Sequence, residues 1–181
     1  MKRHAWIVMA LGLGLVSAGC ILTSGQIQID FDLPSFTGNS ATGIEGTTID
    51  LNTEKEYQDN KDKLKDLSDL AVLGKFTNNS ATPVNVEVWM TPGPTSYTTA
   101  AGLAGDATKI KVWGPFQVAG SATKTIDWNV SAQLFTVAGK AALLSEAKGD
   151  GNFTLYAVGA AGGYDFSVAD GALVLVIDVG I

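Results

Sequence analysis

Histidine, arginine and cysteine each occur once in this 181-residue chain, as His4, Arg3 and Cys20, and none recurs after position 20. Each absence removes a class of chemistry. Without histidine or a second thiol, no Ser-His-Asp or Cys-His arrangement can be assembled downstream of Cys20. A zinc site built from imidazole and thiolate is excluded on the same ground, as is a disulfide within the chain. Without arginine there is no bidentate guanidinium clamp for phosphate or carboxylate. Charge is scarce as well, at 17% of residues, and one-sided. After Cys20, ten lysines face eighteen acids, a net of 10 − 18 = −8. That balance lacks the basic footprint that nucleic-acid binding requires. It also repels anionic lipid headgroups and favours solubility.

What is present begins with the first twenty residues. Lys2 and Arg3 supply a basic start, residues 6–16 form an apolar run, and Ser17, Ala18 and Gly19 lead into Cys20. A basic region, a short apolar region and a small-residue cleavage site are the signature of export. The run is too short to span a bilayer, which takes about 20 apolar residues. The segment Val16-Ser17-Ala18-Gly19-Cys20 resembles the lipobox of bacterial lipoproteins, with Ser17 standing where that family usually has leucine. The resemblance implies a signal peptide over residues 1–19, removed by cleavage before Cys20. It also implies acylation of Cys20 by chains such as palmitate, followed by a short lipidated tether over 20–25. Two or more acyl chains, at about 0.8 kcal/mol per buried methylene, anchor stably where one is marginal. Ile21, in place of an aspartate, implies the outer membrane as the destination.

Residues 26–181 read as one domain. Ile27, Ile29, Phe31 and Leu33 alternate with Gln28, Asp30 and Asp32, which predicts a half-buried strand stopped by Pro34. Residues 35–47 read as a loop. A helix is expected over 53–70, with a Thr53/Glu56 capping box and Tyr57, Leu64, Leu67, Leu70 and Ala71 at helical spacing. A hairpin follows, turning at 77–83 between residues 71–76 and the valine-rich strand that ends at Met90. Residues 91–108, rich in Pro, Gly, Thr and Ala, form a long loop. Strands are expected at 109–118 and 123–128, a second helix at 131–148, and final strands at 153–158 and 172–179. The last is apolar on both faces, which places it centrally. The pattern has no βαβα alternation and predicts a mainly β fold. We expect an antiparallel β-sandwich of about seven or eight strands, with two helices in the connections.

Candidate contact residues for a sugar or a protein partner are Trp89, Trp113 and Trp128, with Tyr97 and Tyr156, because amphipathic rings suit both tasks. Carboxylates are the acid–base groups left in number: Asp30 and Asp32 share a strand face, and Asp50, Glu87 and Asp127 lie in or beside others. Two of them about 5–10 Å apart would suit glycoside hydrolysis. Ser-x-x-Lys occurs as Ser121/Lys124 and Ser145/Lys148, without the companion motifs of Ser–Lys acyl-transfer enzymes. Asp150-Gly151-Asn152 reads as a turn rather than a calcium loop. The resulting expectation is a non-enzymatic envelope protein, without metal or cofactor, held to the membrane through acyl chains on Cys20. Its partner would be an unidentified envelope protein or polysaccharide. The alternatives are a carbohydrate-binding module or carboxylate-based glycosidase, and an accessory subunit of a secretion or surface assembly.

Overall fold

A computed structural model describes residues 24–33, 35–39, 43–159 and 165–180. The signal peptide, Cys20 and the first residues of the expected tether therefore lie outside the described residues.

The described residues form a mainly β structure of two antiparallel sheets. The first contains β1 (Ser24–Leu33), β2 (Phe36–Asn39), β4 (Leu64–Asn78), β7 (Ala122–Ile126) and β9 (Asp165–Gly180). β9 is central: β4 pairs along one side, while β1 and then β2 pair along the other. The second sheet has the order β3 (Ile44–Asp50), β8 (Asn152–Gly159), β5 (Val84–Pro92) and β6 (Ile110–Val118). Four short helices sit in the connections: α1 (Lys55–Asn60), α2 (Ala100–Ala104), α3 (Trp128–Leu134) and α4 (Val137–Lys148). The sandwich expectation and the central place of 172–179 both hold.

The expected helix over 53–70 does not. Only α1 and a 3-10 turn at Lys61–Lys63 form, and β4 starts at Leu64. The reason lies in the register of β4 on β9. Leu64, Leu67 and Leu70 oppose Val179, Ile177 and Leu175, with register shifts after Leu64 and again after Leu67. Each β-bulge inserts one residue, so consecutive core-facing positions fall three apart instead of two. Two bulges in succession thus reproduce the spacing of a helix. The expected helix over 131–148 is likewise divided, into α3 and α4. At the break, the Thr136 N–H donates to Val112 O and its hydroxyl to Lys111 O, tying the chain to β6. The Thr136 hydroxyl also accepts from Gly139 N–H and so caps α4. Gly139 is required there, because an added Cβ would meet Val112 Cα at 2.5 Å.

The expected hairpin between 71–76 and the next strand is an arch instead, since β4 and β5 belong to different sheets. Asn78 builds it. Its side chain is fully buried and donates to Thr82 O, Val118 O and Ala119 O, while accepting from Ser80 N–H and hydroxyl. A buried amide satisfied in this way fixes the corner that carries the chain from one sheet to the other.

The core lies between the sheets. Phe76 from the first sheet meets Trp113 and Phe116 from the second, and Phe166 packs on Phe76, with ring centroids 5.0–5.9 Å apart. Trp113 is 0% exposed, and its indole N–H reaches the carbonyl and hydroxyl of Ser131, each at 3.1 Å. The same hydroxyl accepts the backbone N–H of Val72 at 2.7 Å. Ser131 thus joins α3 to β4 and β6 at a stretch of β4 that β7 does not cover. In Ser131→Ala, the buried Val72 N–H loses its acceptor, which costs about 1–3 kcal/mol. At about 2–4 °C per kcal/mol for a domain of this size, thermal denaturation should show a loss of roughly 2–12 °C.

Candidate functional site

The outer faces of the two sheets differ. The second sheet carries part of the long 91–108 segment across its outer face, and a groove forms along the seam. Ile44, Tyr156 and Leu103 make a small buried cluster, with Trp89, Tyr97 and Val158 packed against it. Ile44 comes from β3, Tyr156 from β8 and Leu103 from α2, so the segment has its own apolar foothold on the sheet. Hydrogen bonds hold the rest. Gly93 N–H donates to Asn152 O, the Thr154 hydroxyl to Gly93 O, and the Tyr156 hydroxyl to Thr95 O at 2.5 Å. Thr99 caps α2 through Gly102 N–H. Lys109 closes the segment by donating to the carbonyls of Ala104 and Asp106.

Between residues 95–98 and β3 lies a groove of about 240 Å³. Its polar lining consists of the hydroxyl-bearing residues Thr48, Thr95, Ser96, Thr98 and Thr154, with Tyr97 and Tyr156 as the aromatic part. The two rings are 5.9 Å apart and tilted at 55°. Gly46 lies against Tyr156, where an added Cβ would meet the ring at 2.9 Å. Glu45 borders the groove, but strand alternation sets its side chain on the side of Thr47 and Ile49, away from Ile44, Gly46 and Thr48. On the groove's side of the sheet, Thr91 pairs with Thr154 in the β5–β8 register. The Thr91 hydroxyl is buried with no hydrogen-bond partner among the described residues, an unmet polar demand beside the groove.

A second depression lies between the sheets. It measures about 70 Å³, with Leu33, Val72, Phe76, Val88 and Leu155 among its lining. That is about half of the ~150 Å³ that an apolar cavity uses to hold benzene. The space is too small for a ligand of that size without opening.

The three tryptophans do not share a surface. Trp113 is in the core and is unavailable as a contact, so that expectation is corrected: its ring is needed to join the sheets. Trp89 is half-buried on the outer face of the second sheet, where its indole donates to Glu87. Lys111 pairs with Glu87 at 3.4 Å and stands 5.9 Å from the Trp89 ring. Trp128 opens α3 beside the other sheet and donates to Asp69. The expected carboxylates are dispersed in the same way. Asp50 caps the turn after β3, Asp127 caps α3, and Asp30 accepts from Gln28 on an edge strand. Ser121 sits in a turn, bonded through its N–H to Ser80 O, while Lys124 lies over the Phe116 ring. Lys148 donates to Lys65 O. Asp150 accepts from Asn152 N–H, as a turn should. The structure brings Tyr97 and Tyr156 together at the groove, whereas its hydroxyls were missed because they come from segments read separately as loop and strand.

Titration marks where the wall of the groove is fastened. The Thr108 hydroxyl and N–H, together with Tyr97, bond to Asp106 and hold its carboxyl below the usual carboxylate range. The Asp106 bond pushes Tyr97 up in turn. Glu146 is shifted up by burial, with Asp150 contributing, and Asp178 down by Ser68 and Gln26; both lie away from the groove. No helix among the described residues is long and apolar enough to cross a membrane.

Fold and groove together define a class: an antiparallel β-sandwich with a hydroxyl-lined groove walled by a strapped connection. No family model and no curated protein matches the chain. Among solved structures, a chain of "Structure of infectious bursal disease virus Gx strain" is similar at 10% identity over 87% of this chain, with a TM-score of 0.34. The present chain spans 32% of that one's length. A likeness of that degree carries no argument about function.

Asp106 yields a pH prediction. A carboxyl held below its unfolded value contributes stability above the ordinary carboxylate range and loses it as pH falls through the folded value. Hydrogen exchange at 95–108 should therefore quicken as pH drops below about 4 (after correction for intrinsic exchange), before the β9 amides do. Asp106→Asn should show the same loosening at neutral pH.

Proposed function

We propose that the protein is a lipid-anchored domain of the bacterial cell envelope that binds or scaffolds without catalysing a reaction. The observation that carries the binding part is the groove. Its wall is fastened by side-chain bonds to backbone, its lining is mainly hydroxyl and aromatic, and among the described residues no carboxylate–carboxylate or Ser–Lys pair faces it. Such a lining recognises and does not activate, because a hydroxyl nucleophile needs an adjacent base. The anchoring part rests on the lipobox-like segment ending at Cys20. β1 begins at Ser24, four positions later, so the tether is short and the sandwich stays close to the bilayer surface. Outer-membrane residence follows from the family pattern at Ile21.

Metabolic labelling with a palmitate analogue, combined with crosslinking in intact cells, tests this reading. The wild-type chain should carry label, fractionate with the outer membrane and crosslink to an envelope component. Cys20→Ala should lose the label and that fractionation. Label retained by Cys20→Ala, or an unlabelled wild type, overturns the anchor.

A further inference from the structure

We infer that the groove between residues 95–98 and β3 binds one ring of a neutral carbohydrate. This deepens the binding role proposed above and rests on it.

The hydrogen-bonding polarity of the lining carries the inference. A hydroxyl has one proton to donate and two lone pairs. The Thr154 proton goes to Gly93 O, the Tyr156 proton to Thr95 O and the Thr95 proton to Pro92 O. Thr48 and Thr154 share one further bond at 3.2 Å. The protons that fasten the wall are thus already committed to the protein, whereas the Ser96 and Thr98 hydroxyls, which bond to no group among the described residues, can donate as well as accept. A ligand must bring both donors and acceptors to meet the lining.

Charge narrows the choice. No lysine among the described residues lines the groove, and the chain has no arginine or histidine beyond Arg3 and His4, so a phosphate or carboxylate would find no cation. A cationic amine would find no pair of carboxylates, only Glu45 at the border, which strand alternation assigns to the other side of β3. Bringing an unpaired charge into such a site is costly. A neutral polyol fits both conditions, because each of its hydroxyls can donate and needs no counter-charge.

Size and shape agree. A volume of 240 Å³ corresponds to about eight waters at ~30 Å³ each, below the usual range for drug-sized ligands. One pyranose ring with its substituents is of that order. Its C–H face is apolar and would lie on the half-buried ring of Tyr97, whose neighbour Tyr156 is itself buried 5.9 Å away. Gly46 keeps that wall open from the β3 side, where any side chain would press on Tyr156.

The test uses the full chain extracted from membranes in detergent, titrated with glucose, galactose and N-acetylglucosamine. Glucosamine and inorganic phosphate serve as charged counterparts. Saturation-transfer NMR should show saturable millimolar binding of at least one neutral sugar. Thr48→Val combined with Thr98→Val, isosteric changes that remove two groove hydroxyls, should weaken that binding about ten-fold or more. Thr47→Val, next in sequence but on the opposite face of β3, should leave it unchanged. Thermal melting confirms that the variants fold. The inference is overturned if no neutral sugar binds a folded chain, if the double variant binds as well as the wild type, or if glucosamine or phosphate is preferred. Failure here with Cys20 acylated sinks the sugar site alone. Sugar binding by an unacylated wild type sinks the anchor alone.

Discussion

The rest of the fold depends on Trp113. A ring of that size has to be buried between the sheets for the sandwich to close, yet its indole N–H needs an acceptor once water is excluded. Ser131 supplies it, and the consequence spreads outward. To reach Trp113, Ser131 must stand where α3 passes the stretch of β4 that β7 does not cover, and there its hydroxyl also takes up Val72 N–H. One side chain therefore satisfies a core aromatic and an otherwise open backbone group. The break between α3 and α4 follows from the same placement, because the chain must turn along β6 through Thr136 directly afterwards.

The second sheet solves a different problem on its outer face. Tyr156 and Ile44 point away from the main core and would be exposed without cover. The 91–108 segment supplies Leu103 and Tyr97, but it has few large apolar residues of its own. Its order therefore comes from hydroxyl-to-backbone bonds, which are short-range and individually modest, about 1 kcal/mol each. A seam held in this way cannot close completely. Where hydroxyls and not hydrocarbon line the boundary, a groove remains, and its chemistry is that of the groups that built it.

This explains which parts of the structure were legible in the sequence. β9 could be read because a strand buried on both faces is apolar without interruption, and β1 because its alternation is clean. β4 could not, since two bulges gave Leu64, Leu67 and Leu70 a helical spacing, and no local signal separates bulged strand from helix. The Asn78 arch resembled a hairpin turn for a similar reason. Asn and Ser favour either, and the acceptors that decide between them, Val118 and Ala119, lie about forty positions away. Trp113 was read as a contact because burial depends on partners in other strands. Of the groove, only Tyr97 and Tyr156 could be singled out, as aromatics suited to contact. Threonine, serine and glycine read as loop, and the bonds that turn them into a wall, such as Tyr156 to Thr95, span 61 positions.

The wall and the groove are also thermodynamically coupled. Tyr97 is both a wall of the groove and the residue tied to Asp106, so loosening that bond removes part of the aromatic surface. A ligand that needs the ordered wall must then favour the ordered segment by RT ln(1 + [L]/Kd), and the reciprocal effect on affinity follows by linkage. A monosaccharide at ten times its Kd would contribute about 1.4 kcal/mol, comparable to one of the bonds that holds the segment. Binding energy and strap energy are therefore of one size. In a domain with no histidine, that places its pH response at the carboxylate of Asp106, below the range in which imidazole switches operate.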